Sequence, residues 1–243
     1  MKITVLRSGG AFDGLAEKGG ILSFMPQKGR AIQIVGQGGS GMRTMAAFVF
    51  PGFETLDYFG PIEMLGSPSQ EIEVITVAQG REPVPSVHGQ RIVVDKTIFE
   101  KSDYDLLLIP GGDAALDVAG DEALMQWIRD VSTQAERVMA VCTGTVLLGM
   151  TGLLDGRKAT TNKIDFTGTV HLAPNVEWVK EARWVEDGKF FTSSGVSAGM
   201  DMALAVVADL FGVAAAERSA LGCEYEWHRD SARDPFAKSA GLV

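Results

Sequence analysis

The sequence predicts an α/β fold, a three-layer sandwich with a mostly parallel sheet, helices on both faces and a cysteine nucleophile elbow. Three observations predict it. From Met45 onward, short continuous apolar runs alternate with amphipathic stretches, the pattern of strands buried on both faces and joined by crossover helices. One apolar run passes directly into a cysteine flanked by small residues. The chain is 243 residues long, 46% hydrophobic and 22% charged, which is long enough to bury a core and too apolar to stay disordered.

Residues 1–42 are glycine-rich and end in Gly36-Gln37-Gly38-Gly39-Ser40-Gly41. These glycines match G-x-G-x-x-G, but a dinucleotide loop needs a helix to open at its third glycine. Here the chain continues as Met45-Ala46-Ala47-Phe48-Val49-Phe50-Pro51, an apolar run stopped by proline, which reads as a strand. A flexible extension is therefore expected over residues 1–42 and one α/β domain over 43–243. Within that domain, strands are expected at residues 46–50, 72–77, 106–109 and 138–141. Helices are expected at 54–65, 122–135, 145–150 and 198–211. Residues 185–191 hold Asp187-Gly188 between extended residues, a hairpin signal.

Charge and cysteine content narrow the function. Lys and Arg number 22 against 31 Asp and Glu, a net charge of −9, which argues against nucleic acid or an anionic membrane as partner. The two cysteines make neither a disulfide framework nor a zinc spacing. A cytoplasmic protein with no metal is expected. The apolar stretch at 202–216 is interrupted by Asp209 and is too short to span a bilayer.

In a parallel α/β sheet, function collects at the carboxyl ends of the strands, and three of them stand out. In Val138-Met139-Ala140-Val141-Cys142-Thr143-Gly144-Thr145 a strand runs into Cys142 with a helix pattern just behind it. Small neighbours at −2 and +2 suit a tight strand-to-helix turn, and a helix N-terminus is expected to lower the thiol pKa. In Leu106-Leu107-Leu108-Ile109-Pro110-Gly111-Gly112-Asp113 the glycines are expected to turn backbone N–H groups toward developing negative charge. In Phe50-Pro51-Gly52-Phe53-Glu54-Thr55-Leu56-Asp57-Tyr58-Phe59-Gly60-Pro61 the carboxyl of Asp57 lies among apolar residues. Burial there is expected to raise its pKa and keep a proton available near neutrality. Asp201 is expected to be a helix-terminal contact, Cys223 a packing residue, and His88, His171 and His228 surface residues.

These three segments, with Gly152-Leu153-Leu154-Asp155-Gly156-Arg157-Lys158-Ala159-Thr160-Thr161, Ser194-Gly195-Val196-Ser197-Ala198-Gly199-Met200-Asp201, and Glu224-Tyr225 followed by Asp234-Pro235-Phe236, resemble the ThiJ/PfpI superfamily, of class I glutamine-amidotransferase-like fold. Aspartate rather than glutamate before Gly60-Pro61 makes the chain similar to the isocyanide (isonitrile) hydratase branch. The resemblance spans Met45 to about Gly241. It implies that Cys142 is the nucleophile, that Asp57 is its carboxyl partner, and that backbone groups around Gly112, Asp113 and Thr143 line the pocket. It implies a homodimer without cofactor that hydrates an organic isocyanide to an N-substituted formamide. A glyoxalase- or deglycase-type hydrolase of reactive carbonyls, and a redox- or ligand-sensing relative without catalysis, are the alternatives. One departure matters: the branch usually reads Thr-Thr-His-Trp where this chain has Thr160-Thr161-Asn162-Lys163. The obvious base for a Cys-His pair is missing, which weakens triad chemistry more than hydration.

Overall fold

The computed structural model describes residues 42–66 and 72–243, and the backbone of Ser23–Phe24 and Ile32–Gln33. The chain divides into two units, residues 1–40 and 41–243. In the first, Ser23–Phe24 pairs antiparallel with Ile32–Gln33. The flexibility expected of residues 1–42 otherwise lies outside the described residues.

The second unit carries the sheet. In chain order its main elements are β1 (Arg43–Phe48), α1 (Thr55–Leu65), β2 (Ile72–Ala78), β3 (Lys96–Thr97), β4 (Leu106–Ile109), α2 (Glu122–Gln134), β5 (Arg137–Val141) and α3 (Thr143–Met150). They continue with β6 (Trp184–Asp187), β7 (Phe190–Ser193), α4 (Ala198–Phe211), α5 (Val213–Gly222) and α6 (Pro235–Ser239). Seven strands form one sheet in the order β6-β7-β5-β4-β1-β2-β3. Every pairing in it is parallel except the β6–β7 hairpin.

The local reasons are those of the sequence. All four residues of β4 are buried, as expected of a central strand covered on both faces. The chain steps from β1 to β2 in one direction along the sheet and from β4 to β5 in the other. Right-handed crossovers therefore put α1 and α2 on opposite faces. Asp121 caps α2 by accepting the Leu124 N–H at 3.0 Å. The hairpin turns at Gly188, whose φ of 61° suits glycine. On its face of the sheet α1 packs against α4. Gly60 permits that approach, since a Cβ there would stand 2.8 Å from the Met200 side chain.

Asp201, in the first turn of α4, is the contact that ties down the segment after α5. It is fully buried, and its Oδ2 accepts the Arg183 Nε–H at 2.6 Å. Its Oδ1 accepts the Tyr225 hydroxyl at 3.1 Å and the His228 N–H at 2.8 Å, and its carbonyl accepts the Trp227 indole N–H at 3.2 Å. Asp201→Ala would take from the buried Arg183 guanidinium its closest partner, leaving it the Ser197 hydroxyl at 3.3 Å and the Asp234 carboxylate at 3.9 Å. We expect a loss of about 3–5 kcal/mol in urea unfolding at pH 7; a loss below about 1 kcal/mol would show that the pair does not hold this segment.

Candidate active site

The site forms where β1, β4 and β5 end. Cys142 follows β5 and caps α3 with φ 57° and ψ −133°. A side chain at positive φ stores strain that surrounding contacts must hold. The Cys142 N–H donates to the Ser193 carbonyl at 3.2 Å. The Cys142 carbonyl accepts the Thr145 N–H at 3.1 Å and the Thr161 hydroxyl at 2.7 Å. The small residue at +2 has a steric reason: a Cβ on Gly144 would stand 2.5 Å from the Ile109 carbonyl oxygen and 2.6 Å from that of Pro110. Gly144→Ala is expected to destabilise the fold by about 1–3 kcal/mol and to slow alkylation of Cys142. A variant as stable and as reactive as the parent would show that the elbow yields without cost.

Asp57, in the first turn of α1, is fully buried. Its Oδ2 accepts the Gly111 N–H at 2.9 Å, while its Oδ1 is buried without a hydrogen-bond partner. Burial pushes its pKa up to about 8, the Gly111 N–H pulls the other way, and the nearby Glu54 charge raises it again. The expected raised carboxyl pKa is present.

Cys142 departs from expectation. Its helix terminus does act on the sulfur: the Thr143 N–H and hydroxyl both favour the thiolate. Burial opposes them and dominates, and the charge of Asp57 adds to it, so the thiol pKa is raised, not lowered. The sulfur has given up more hydration than one helix turn returns. Thiol and carboxyl together form a pair that holds its protons.

A second expectation also needs correcting. The Gly111 and Gly112 N–H groups are not offered to a ligand. Gly111 donates to Asp57, and Gly112 donates to the Thr143 hydroxyl at 2.9 Å, which donates back to the Gly112 carbonyl at 3.1 Å. The glycines are needed for closeness instead. A Cβ on Gly112, at φ 143°, would stand 2.5 Å from the Gly52 carbonyl oxygen, and one on Gly111 would stand 2.6 Å from the Thr143 hydroxyl. Pro110-Gly111-Gly112 thus clasps α1 to the elbow.

Above the sulfur is a cavity of about 430 Å³ to which Gly112, Asp113, Cys142 and Thr143 contribute. The structure brings these four together, with Asp57 behind them. A hollow of about 470 Å³ beside Trp178 contains none of them. The cavity also takes in Asn162 and Lys163, at the departure from the branch pattern, and groups to which sequence reasoning gave no role: Glu54, the turn at 194–197, and Phe236. Asn162 stands where the histidine was missed, and its side-chain oxygen accepts the Asp165 N–H at 2.8 Å. Lys163 is only 2% exposed; its Nζ donates to the Thr160 hydroxyl at 2.6 Å and to the Thr161 carbonyl at 3.3 Å. Burial draws its pKa down to about 8. His88, His171 and His228 are exposed and none lines the cavity. Among the described residues, no group of three His, Cys, Asp or Glu is placed to hold a metal, and no helix is long and apolar enough to cross a membrane.

A mostly parallel sheet with an inner strand that ends in a strained, helix-capping cysteine defines the class of α/β proteins with an elbow cysteine. Within that class the chain belongs to the DJ-1/PfpI family, whose pattern matches residues 43–209. It is similar to an isonitrile hydratase of Pseudomonas putida, 35% identical over 179 residues that cover 73% of this chain and 76% of that one. It is also similar to a deglycase of Pyrococcus horikoshii, 29% identical over 58% of this chain and 83% of that one. The crystal structure of a ThiJ/PfpI family protein from Pseudomonas syringae superposes with a TM-score of 0.70, at 34% identity and 76% coverage of each chain.

Proposed function

We propose that the protein is an isonitrile hydratase, adding water to an organic isocyanide to give an N-substituted formamide, with Cys142 as nucleophile and Asp57 as proton donor. The observation that carries this reading is the Asp57 carboxyl. It is buried, holds its proton to about pH 8, and has one oxygen with no partner beside a cysteine at a strained elbow.

An isocyanide carbon is both electrophile and, once attacked, base. The Cys142 sulfur bonds to that carbon while Asp57 gives it a proton, and the proton leaving the thiol returns to Asp57. The product is a neutral thioimidate, and neither partner carries net charge into the apolar interior. Water then adds across the C=N bond, the C–S bond breaks, and the sulfur recovers a proton as the formamide departs. Splitting one hydration into two additions lowers each barrier. The balance is one isocyanide plus one water to one formamide, with no electron transferred, so the reaction calls for no redox partner and no cofactor. The Thr143 N–H favours negative charge on the sulfur, and the backbone of Gly112 and Asp113 borders the space for the reacting group.

The relative from Pseudomonas putida supports this reading. The Pyrococcus relative is named a deglycase; a glyoxalase- or deglycase-type hydrolysis of reactive carbonyls calls for a base beside the sulfur, and no histidine stands there. The reading carries with it a cytoplasmic homodimer, which native mass measurement tests. The decisive assay is formamide release from an aryl isocyanide, with methylglyoxal as the rival substrate. Faster turnover of methylglyoxal would replace this reading with the carbonyl hydrolase.

A further inference from the structure

We propose that Phe236, with Ile164 and Val196, is a specificity-determining rim that reads the substrate's organic group and favours an uncharged aromatic or bulky apolar one. This deepens the assignment above and rests on Cys142 being the nucleophile of the cavity.

The argument begins with exposure. A large apolar side chain left in water gains when an apolar group covers it. Ile164 is 96% exposed, Phe236 57% and Val196 39%, and all three border the cavity above Cys142. They come from three separate segments of the chain. Their convergence is a product of the fold that no sequence run displays.

Phe236 is also held in place. It stands in the first turn of α6, where Asp234 accepts its N–H at 3.0 Å. The Asp234 N–H in turn donates to the Glu181 carbonyl at 2.6 Å. With its backbone held at the mouth of the cavity, Phe236 has only its two side-chain torsions to order when a ligand covers the ring.

Charge completes the selection. Glu54, Asp113 and Asp165 border the same cavity. The one cation there, Lys163, has its amine engaged by Thr160 and Thr161. An anionic substituent meets three carboxylates against the single ammonium of Lys163, whose protons already go to Thr160 and Thr161, so it is disfavoured.

The test needs no turnover. Alkylation of Cys142 forms a C–S bond, expels iodide and releases the thiol proton to buffer, and its rate saturates with reagent when the reagent binds first. Iodoacetamide, N-phenyliodoacetamide and iodoacetate present one electrophile with a small, an aromatic and an anionic group. In the native chain the half-saturating concentration of the phenyl reagent is expected to be about tenfold below that of iodoacetamide, with iodoacetate the poorest. Phe236→Ala is expected to bring the ratio of the first two to about one, and Phe236→Leu to restore part of it. A tenfold ratio that survives Phe236→Ala overturns the rim while leaving the nucleophile in place. Labelling is read at pH 9 to draw on the thiolate fraction that burial leaves, and half-saturation does not depend on that fraction. A Cys142 that no reagent labels in the folded chain but each labels after unfolding is closed to the cavity, which overturns the rim, while the nucleophile assignment is judged by the isocyanide adduct on Cys142 after acid quench. Native mass is measured in parallel: a Phe236→Ala chain that changes its oligomeric state would make the rim a subunit contact and overturn the proposal.

Discussion

Cys142→Ala is expected to lower formamide production from an aryl isocyanide by roughly 10⁴-fold or more, the scale on which removing a covalent nucleophile acts. The effect is large because neither step survives without the sulfur: there is no thioimidate for water to attack, and Asp57 has nothing to protonate in concert. Alanine keeps the Cβ that already tolerates φ 57°, so the elbow is preserved and the loss is chemical. Cys142→Ser tests the same point with a poorer nucleophile at the same site and should be nearly as inactive. After a rapid acid quench the parent protein should carry the mass of one isocyanide on the peptide containing Cys142, and the alanine variant should not. Retention of more than about a tenth of the parent rate would remove the cysteine from the mechanism.

The framework for this chemistry was legible where local pattern and tertiary fate coincide. Leu106–Ile109 is apolar throughout because it is covered on both faces, and the run announces this. Asp187-Gly188 marks the β6–β7 hairpin because glycine alone takes that turn easily. The edge strand Lys96–Thr97 was not legible, since two residues with one charge carry no periodicity. Helix α3 begins at Thr143, two residues ahead of the apolar pattern, because the elbow's hydrogen bonds set its start. At the site, Cys142 and Asp57 stood out because a reactive group among apolar residues is conspicuous in one dimension. The rest of the cavity wall did not: Ser194–Ser197 and Phe236 meet only after the sheet has ordered the loops. The sign of the thiol shift was misread for a related reason. A helix terminus is local and visible in sequence, whereas the burial that outweighs it is delivered by residues far along the chain.

Asp57→Asn should move activity and stability in opposite directions, and pH separates the two. Asn keeps the shape and an acceptor for the Gly111 N–H but cannot supply a proton, so the hydration rate is expected to fall by about 10²–10⁴-fold. In the parent chain the folded pKa is about 8 against an ordinary 3.8. Between those values the folded protein keeps a proton that the unfolded chain releases, so stability falls as pH rises through the window and levels off above it. The penalty reaches at most the order of 5 kcal/mol at the alkaline end. An amide carries no such penalty, although its N–H₂ group gives back part of the gain for want of a partner. The variant should therefore match or trail the parent in thermal unfolding near pH 4 and exceed it by roughly 5–10 °C at pH 9. Activity of the parent should hold below pH 8 and decline above it as Asp57 ionises. Burial holds the Cys142 thiol protonated into still more alkaline solution, so no thiolate-driven rise masks the decline. A rate that climbs through pH 8, or an Asn variant no better off at pH 9 than at pH 5, would mean that Asp57 is already ionised in the folded protein. The proton for the isocyanide carbon would then have to come from elsewhere.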